Sequence, residues 1–134
     1  MTNENNQHLE NENEEYPIKT ILLVEDESII SDLLTQMITL ETPYQVFSAP
    51  DGLEALDLVK NIKPQLMVLD YWLPFMRGIE LFDRLHNTEG LEEVPAIMLS
   101  VNAPVREIHQ RHITYIKKPF DMSRLLDAIH RLIV

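Results

Sequence analysis

Residues 66–74 read LMVLDYWLP: Leu66-Met67-Val68-Leu69, then Asp70, then Tyr71-Trp72-Leu73-Pro74. Four consecutive large apolar residues without polar alternation are the pattern of a strand covered on both faces, as in a parallel sheet. The run predicts a strand over 66–69 that ends at Asp70. A carboxylate placed directly after such a run is costly to bury without a partner, which makes Asp70 the first candidate functional residue.

The segments on either side repeat this grammar. Upstream, TILLV (20–24) is an apolar run stopped by Glu25 and Asp26. Ile29, Ile30, Leu33, Leu34, Met37, Ile38 and Leu40 then recur at helical spacing over 28–40. Tyr44 to Ala49 is a short strand candidate. Pro50-Asp51-Gly52 opens a helix carrying Leu53, Leu56 and Val59-Lys60, and Pro64 follows its end. Downstream come a helix from Gly78 to His86, strands over Val94–Leu99 and Ile113–Ile116, and a closing helix from Asp121 to Ile133. Five strands separated by helices imply right-handed βαβ crossovers and an α/β fold, a parallel sheet with helices on both faces.

The 134 residues suffice for one domain with a single core. No apolar run reaches the length of a membrane span, and the N-terminus lacks the basic start and apolar stretch of a secretory signal. There is no cysteine, so disulfides and thiolate metal sites are excluded and a cytoplasmic location is expected. Glu4, Glu10, Glu12, Glu14 and Glu15 precede any Lys or Arg and contribute five negative charges to the formal net charge of −11. Residues 1–16, rich in Asn and Glu, are expected to form a disordered tail ahead of a domain over 17–134. The remainder is still acidic, which argues against direct binding to nucleic acid or an anionic membrane.

In open α/β sheets, ligands bind beyond the carboxyl ends of the strands. Those ends here carry Glu25 and Asp26, Asp70, and Ser100, with Lys118 just past the last strand. Three converging carboxylates repel one another, and a hard divalent ion such as Mg2+, with its preference for oxygen ligands, resolves the conflict. Lys118 supplies a compact positive charge and Ser100 a hydroxyl donor. Together these are the parts that phosphoryl transfer uses. Taken singly, the bland readings stand beside these: Glu25 as a solvated or capping acid, Ser100 as a loop serine, Lys118 as a surface charge.

ILLVEDE (21–27), APDGLEAL (49–56), DYWLPFMRGIEL (70–81), PAIMLS (95–100) and YIKKPF (115–120) occur in this order. Jointly they resemble the receiver domain of two-component response regulators, over residues 19–134. The resemblance implies a flavodoxin-like strand order 2-1-3-4-5. It also implies phosphorylation of Asp70 by a histidine kinase or histidine phosphotransfer protein. Asp26, Asp70 and the backbone carbonyl of Trp72 would ligate Mg2+, with Glu25 acting mainly through a coordinated water. Ser100 and Lys118 would contact phosphoryl oxygens, and Ser100 with Tyr115 would form the switch; an ordinary strand residue is the alternative for Tyr115. Pro119 would follow a cis bond, and Gly78 would start the third helix.

Two features depart from the family. Ser100 and Lys118 are 18 residues apart, about four fewer than is usual, or roughly one helical turn. Arg111-His112 also replaces the usual Gly-Ala. The fourth helix is therefore expected to be short or irregular; it belongs to a face on which receivers dimerise or meet effectors, so a homodimer stays open. Val101 stands where a small residue is preferred, and bulky Trp72 is placed to shield an acyl phosphate from water. No output domain is expected after the last helix, so the signal would leave through a partner protein. The expected role is a phosphoacceptor rather than a classical enzyme, with intrinsic Mg2+-dependent phosphotransfer and autodephosphorylation. A pseudo-receiver that binds proteins without phosphorylation is the alternative. A haloacid dehalogenase-like enzyme fits poorly, because Trp72 occupies the position of its second acid.

Overall fold

The computed structural model describes residues 17–133. The segment expected to be a tail, residues 1–16, and Val134 lie outside the described residues. Five strands, β1 (Thr20–Val24), β2 (Gln45–Ala49), β3 (Leu66–Asp70), β4 (Ala96–Ser100) and β5 (Thr114–Lys117), alternate with five helices. The helices are α1 (Ser28–Glu41), α2 (Gly52–Leu58), α3 (Gly78–His86), α4 (Val105–Gln110) and α5 (Met122–Leu132). All strand pairs are parallel, in the order β2-β1-β3-β4-β5 expected from the sequence. The chain runs outward from β1 to β2 and then returns past β1 to β3. The switch point therefore lies between β1 and β3, where the crevice of such sheets opens.

The continuous apolar runs have a simple cause. Leu22, Val24, Met67, Leu69 and Met98 pack with Ala55 of α2, Leu81, Phe82 and Leu85 of α3 and Ile108 of α4. Their neighbours in sequence, Ile21, Leu23, Val68, Ile97 and Leu99, pack on the opposite face with Leu34 and Ile38 of α1 and with Leu125 and Ile129 of α5. Every residue of β3 and β4 is buried, whereas the edge strands β2 and β5 are partly exposed.

Element ends differ from the sequence expectations for local reasons. Helix α2 begins at Gly52, where the Asp51 carboxylate accepts from the Glu54 N–H at 2.9 Å. It stops at Leu58, before Val59-Lys60, because the next turn tightens through bonds from Lys60 N–H to Asp57 O and Asn61 N–H to Leu58 O. Strand β2 starts at Gln45 instead of Tyr44. Strand β4 starts at Ala96 instead of Val94, after Pro95, which has no N–H for a ladder. Strand β5 starts one residue late because the Ile113 N–H closes back on Ile108 O at 3.2 Å.

Helix α4 has six residues and follows Pro104, as the shortened spacing predicts. Arg111 ties its end to α3: Nε and Nη2 donate to the two Asp83 carboxylate oxygens at 2.8 and 2.9 Å, and Nη1 donates to Glu107 O at 3.0 Å. His112 then turns the chain with φ 59°, a left-handed conformation uncommon for a residue with a Cβ.

Candidate functional site

Strand register brings the acids together. Val24 pairs with Leu69, so the next residues, Glu25 and Asp70, end adjacent strands at the switch point. Glu25 continues the sheet by donating its N–H to Ala49 O, and its carboxylate accepts from the Glu27 N–H at 3.1 Å. Glu25 and Asp70 are buried and Asp26 is exposed; one oxygen from each of the three lies within 4.8 Å of the others. Lys118 reaches this group from the far side of the crevice. Its Nζ is 3.2 Å from Glu25 Oε1 and 3.5 Å from Asp70 Oδ2. The peptide bond from Lys118 to Pro119 is cis, as the resemblance implies.

Burial raises the Glu25 and Asp70 carboxyl groups above the usual carboxylate range, and Lys118 only partly opposes this. For Lys118 burial acts downward, but the two facing carboxylates outweigh it and raise the amine above its usual value. The balance marks a pocket with one cation for three acids. An all-oxygen donor set with surplus negative charge, partly open to water through Asp26, fits a hard divalent ion such as Mg2+ and suits no thiophilic metal.

Gly78 sets how closely α3 approaches. A Cβ there would lie 2.3 Å from the Asp70 carbonyl oxygen, and the Gly78 N–H donates to Tyr71 O at 2.7 Å. The chain therefore crosses directly over the end of β3 before α3 begins. Between them, the Trp72 N–H faces Asp70 Oδ1 at 3.4 Å. The Trp72 carbonyl expected among the ligands belongs to this same loop.

Ser100 ends β4 with its side chain buried; its Oγ accepts from the Asn102 N–H at 3.1 Å. Its carbonyl accepts from the Lys118 N–H at 2.9 Å and from the Tyr115 hydroxyl at 3.2 Å. The sequence candidates thus gather at the carboxyl edge of the sheet. The Val101 side chain is 62% exposed, so it does not fill the pocket. Two contacts had no signal in the sequence: the bond from Trp72 Nε1 to Asn102 O at 2.7 Å, and the Arg111–Asp83 pair. Two hollows lie away from this site, one of about 360 Å³ beside β5 and α5 and one of about 410 Å³ around Phe75 and Arg77.

The chain matches the family model of the response regulator receiver domain over residues 21–130. It is 33% identical to sporulation initiation phosphotransferase F of Bacillus subtilis over 115 residues, 83% of this chain and 90% of that protein. It is also 31% identical to the DNA-binding dual master transcriptional regulator RpaA of Synechocystis over 118 residues, 84% of this chain but 48% of that protein. The chain spans about half the length of the transcriptional regulators it matches. Among solved structures, the receiver domain of the sensor histidine kinase PA1611 of Pseudomonas aeruginosa superposes with a TM-score of 0.77 at 28% identity. That comparison covers 87% of this chain and 98% of the other, which holds a magnesium ion in its active site cleft. With the strand order, the acidic crevice and these matches in agreement, the chain belongs to the response regulator receiver family of two-component signalling.

Proposed function

We propose that Asp70 accepts a phosphoryl group from a phosphohistidine of a histidine kinase or histidine phosphotransfer protein. The observation that carries this is the convergence of buried Asp70 with Glu25 and Asp26, with Lys118 Nζ 3.5 Å from Asp70 Oδ2. An ionised Asp70 oxygen attacks phosphorus in line. The P–N bond breaks, and the ring, already protonated on its other nitrogen, leaves with the bonding pair as neutral imidazole. Little covalent work falls to other groups, so positioning and charge compensation dominate.

Asp26, Asp70 and the Trp72 carbonyl would hold Mg2+, with Glu25 behind a coordinated water; the ion supplies charge neutralisation for the carboxylates and the incoming phosphoryl oxygens. Lys118, now shared between Glu25 and Asp70, is within reach to turn onto a phosphoryl oxygen. Ser100 supplies a hydroxyl donor, and Tyr115, bonded to the Ser100 carbonyl, reports the change to the β5 edge. Slow attack of water on the acyl phosphate returns Asp70 to its resting state. The product is a signal: a partner protein reads the phosphorylated surface, in the cytoplasm and without direct contact to nucleic acid or membrane. Residues 17–134 form the signalling unit, preceded in the sequence by the acidic residues 1–16.

Incubation with a small acyl- or amidophosphate donor and Mg2+, followed by intact mass, tests the proposal. The wild type gains one hydroxylamine-sensitive phosphate and Asp70→Asn gains none. A folded wild type that takes up no label favours the pseudo-receiver.

A further inference from the structure

Trp72 is the single tryptophan of the chain. It is half exposed yet held on several sides. Its indole N–H leaves the β3–α3 loop and donates to the Asn102 carbonyl of the β4–α4 loop at 2.7 Å. Its ring meets Tyr71 edge-on at 4.7 Å, and the Arg77 guanidinium lies 5.4 Å from its centroid. Asn102 in turn donates its N–H to Ser100 Oγ at 3.1 Å. The backbone N–H of Trp72 faces Asp70 Oδ1 at 3.4 Å. A run of polar contacts therefore leads from Asp70 through Trp72 and Asn102 to the Ser100 hydroxyl.

The β4–α4 loop has little else to hold it. Val101, Asn102 and Pro104 are exposed, and only the small, partly buried Ala103 packs against the core, so core packing holds the loop at one methyl group. A hydrogen bond from a large ring that is itself braced by Tyr71 and Arg77 is the tie. For Ser100 Oγ to turn from the Asn102 N–H toward a phosphoryl oxygen on Asp70, this loop has to shift.

We propose that Trp72 is a positioning residue, a latch that holds the β4–α4 loop and the Ser100 hydroxyl in the unphosphorylated arrangement and is released when Asp70 is phosphorylated. The proposal rests on the reading of Asp70 as acceptor. A single neutral hydrogen bond of this kind shifts an equilibrium by about fivefold.

Beryllium fluoride with Mg2+, a tetrahedral phosphoryl mimic that coordinates a carboxylate, provides the test on the full chain. In the wild type the lone indole gives one 1H–15N signal. On saturation that signal moves to the position of a solvent-exposed indole. Trp72→Phe keeps a ring against Tyr71 and Arg77 but has no donor, and it binds the mimic about fivefold more tightly because no latch opposes binding. An indole signal that stays in place overturns the latch, and so does a Trp72→Phe affinity within twofold of wild type. The wild-type spectrum decides the matter even where the variant folds poorly. Absence of any bound 19F signal that depends on Asp70 sinks the acceptor reading itself, and the latch with it.

Discussion

Asp70 retains 7% of its surface and Glu25 2%, and burial pushes both carboxyl groups above their ordinary range. A carboxyl group raised in the folded state binds protons more tightly there than in the unfolded chain. Stability therefore falls as pH rises from the unfolded value, near 4, through the folded one. Ionised Asp70 is thus a burden to the metal-free fold at neutral pH. Asp70→Asn removes the charge and leaves Lys118 its nearer partner, Glu25, at 3.2 Å. In EDTA at pH 7 the variant should melt a few degrees above wild type, about 1 kcal/mol. The gap should close as pH falls and wild-type Asp70 takes up its proton; thermal melts of both proteins across pH measure it. Equal melting temperatures at pH 7 would place the strain elsewhere. Asp70 was legible because an acid after LMVL is conspicuous in any sequence. The Trp72–Asn102 bond was not, because it joins two loops 30 residues apart through a backbone carbonyl that any residue possesses.

The elements were legible wherever burial imposes a period. Helix α5 shows its apolar stripe at Leu125, Ala128 and Ile129, and the central strands show theirs as unbroken runs. Their ends were less legible, because Pro95 and the Ile113–Ile108 bond act through main-chain hydrogen bonding, which side-chain hydrophobicity does not record. The missing turn before β5 predicted a short α4, but not the Arg111 fork on Asp83 that secures it. Gly78 couples element to site most tightly. Its Cα sits so close to the end of β3 that an alanine Cβ would lie 2.3 Å from the Asp70 carbonyl oxygen. That contact is backbone, with no flexible side chain to yield. Gly78→Ala should push the start of α3 off the strand end and cost about 1–3 kcal/mol, the usual range for overpacking. Chemical denaturation measures the loss, and labelling by the small phosphate donor should fall with it, since Asp70 moves with its backbone. An alanine variant of wild-type stability would mean that the loop relaxes at no cost.

Across the whole molecule, fold and site were legible to different depths. Alternating apolar runs and helical stripes imply the layers, but composition contains nothing that places residues 25, 70 and 118 together. Only the β1–β3 switch in strand order and the parallel register do so, and the sequence blocks supplied that order through their resemblance to a family. The chain also carries a formal net charge of −11, so any salt relieves its self-repulsion to some degree. A site-bound divalent ion must be separated from that general effect. A ligand that binds only the folded state stabilises it by RT ln(1 + [L]/Kd), about 2.7 kcal/mol at a hundredfold excess over Kd. Mg2+ should therefore raise the melting temperature by several degrees beyond NaCl of equal ionic strength. The excess should vanish in Asp26→Asn/Asp70→Asn, while the common salt effect persists because the rest of the surface charge is unchanged. Asp26 is exposed and Asn matches the size and shape of the buried Asp70 side chain, so the double variant keeps the core packing. Equal Mg2+ and NaCl effects in the wild type would assign the stabilisation to screening and remove the metal from the site.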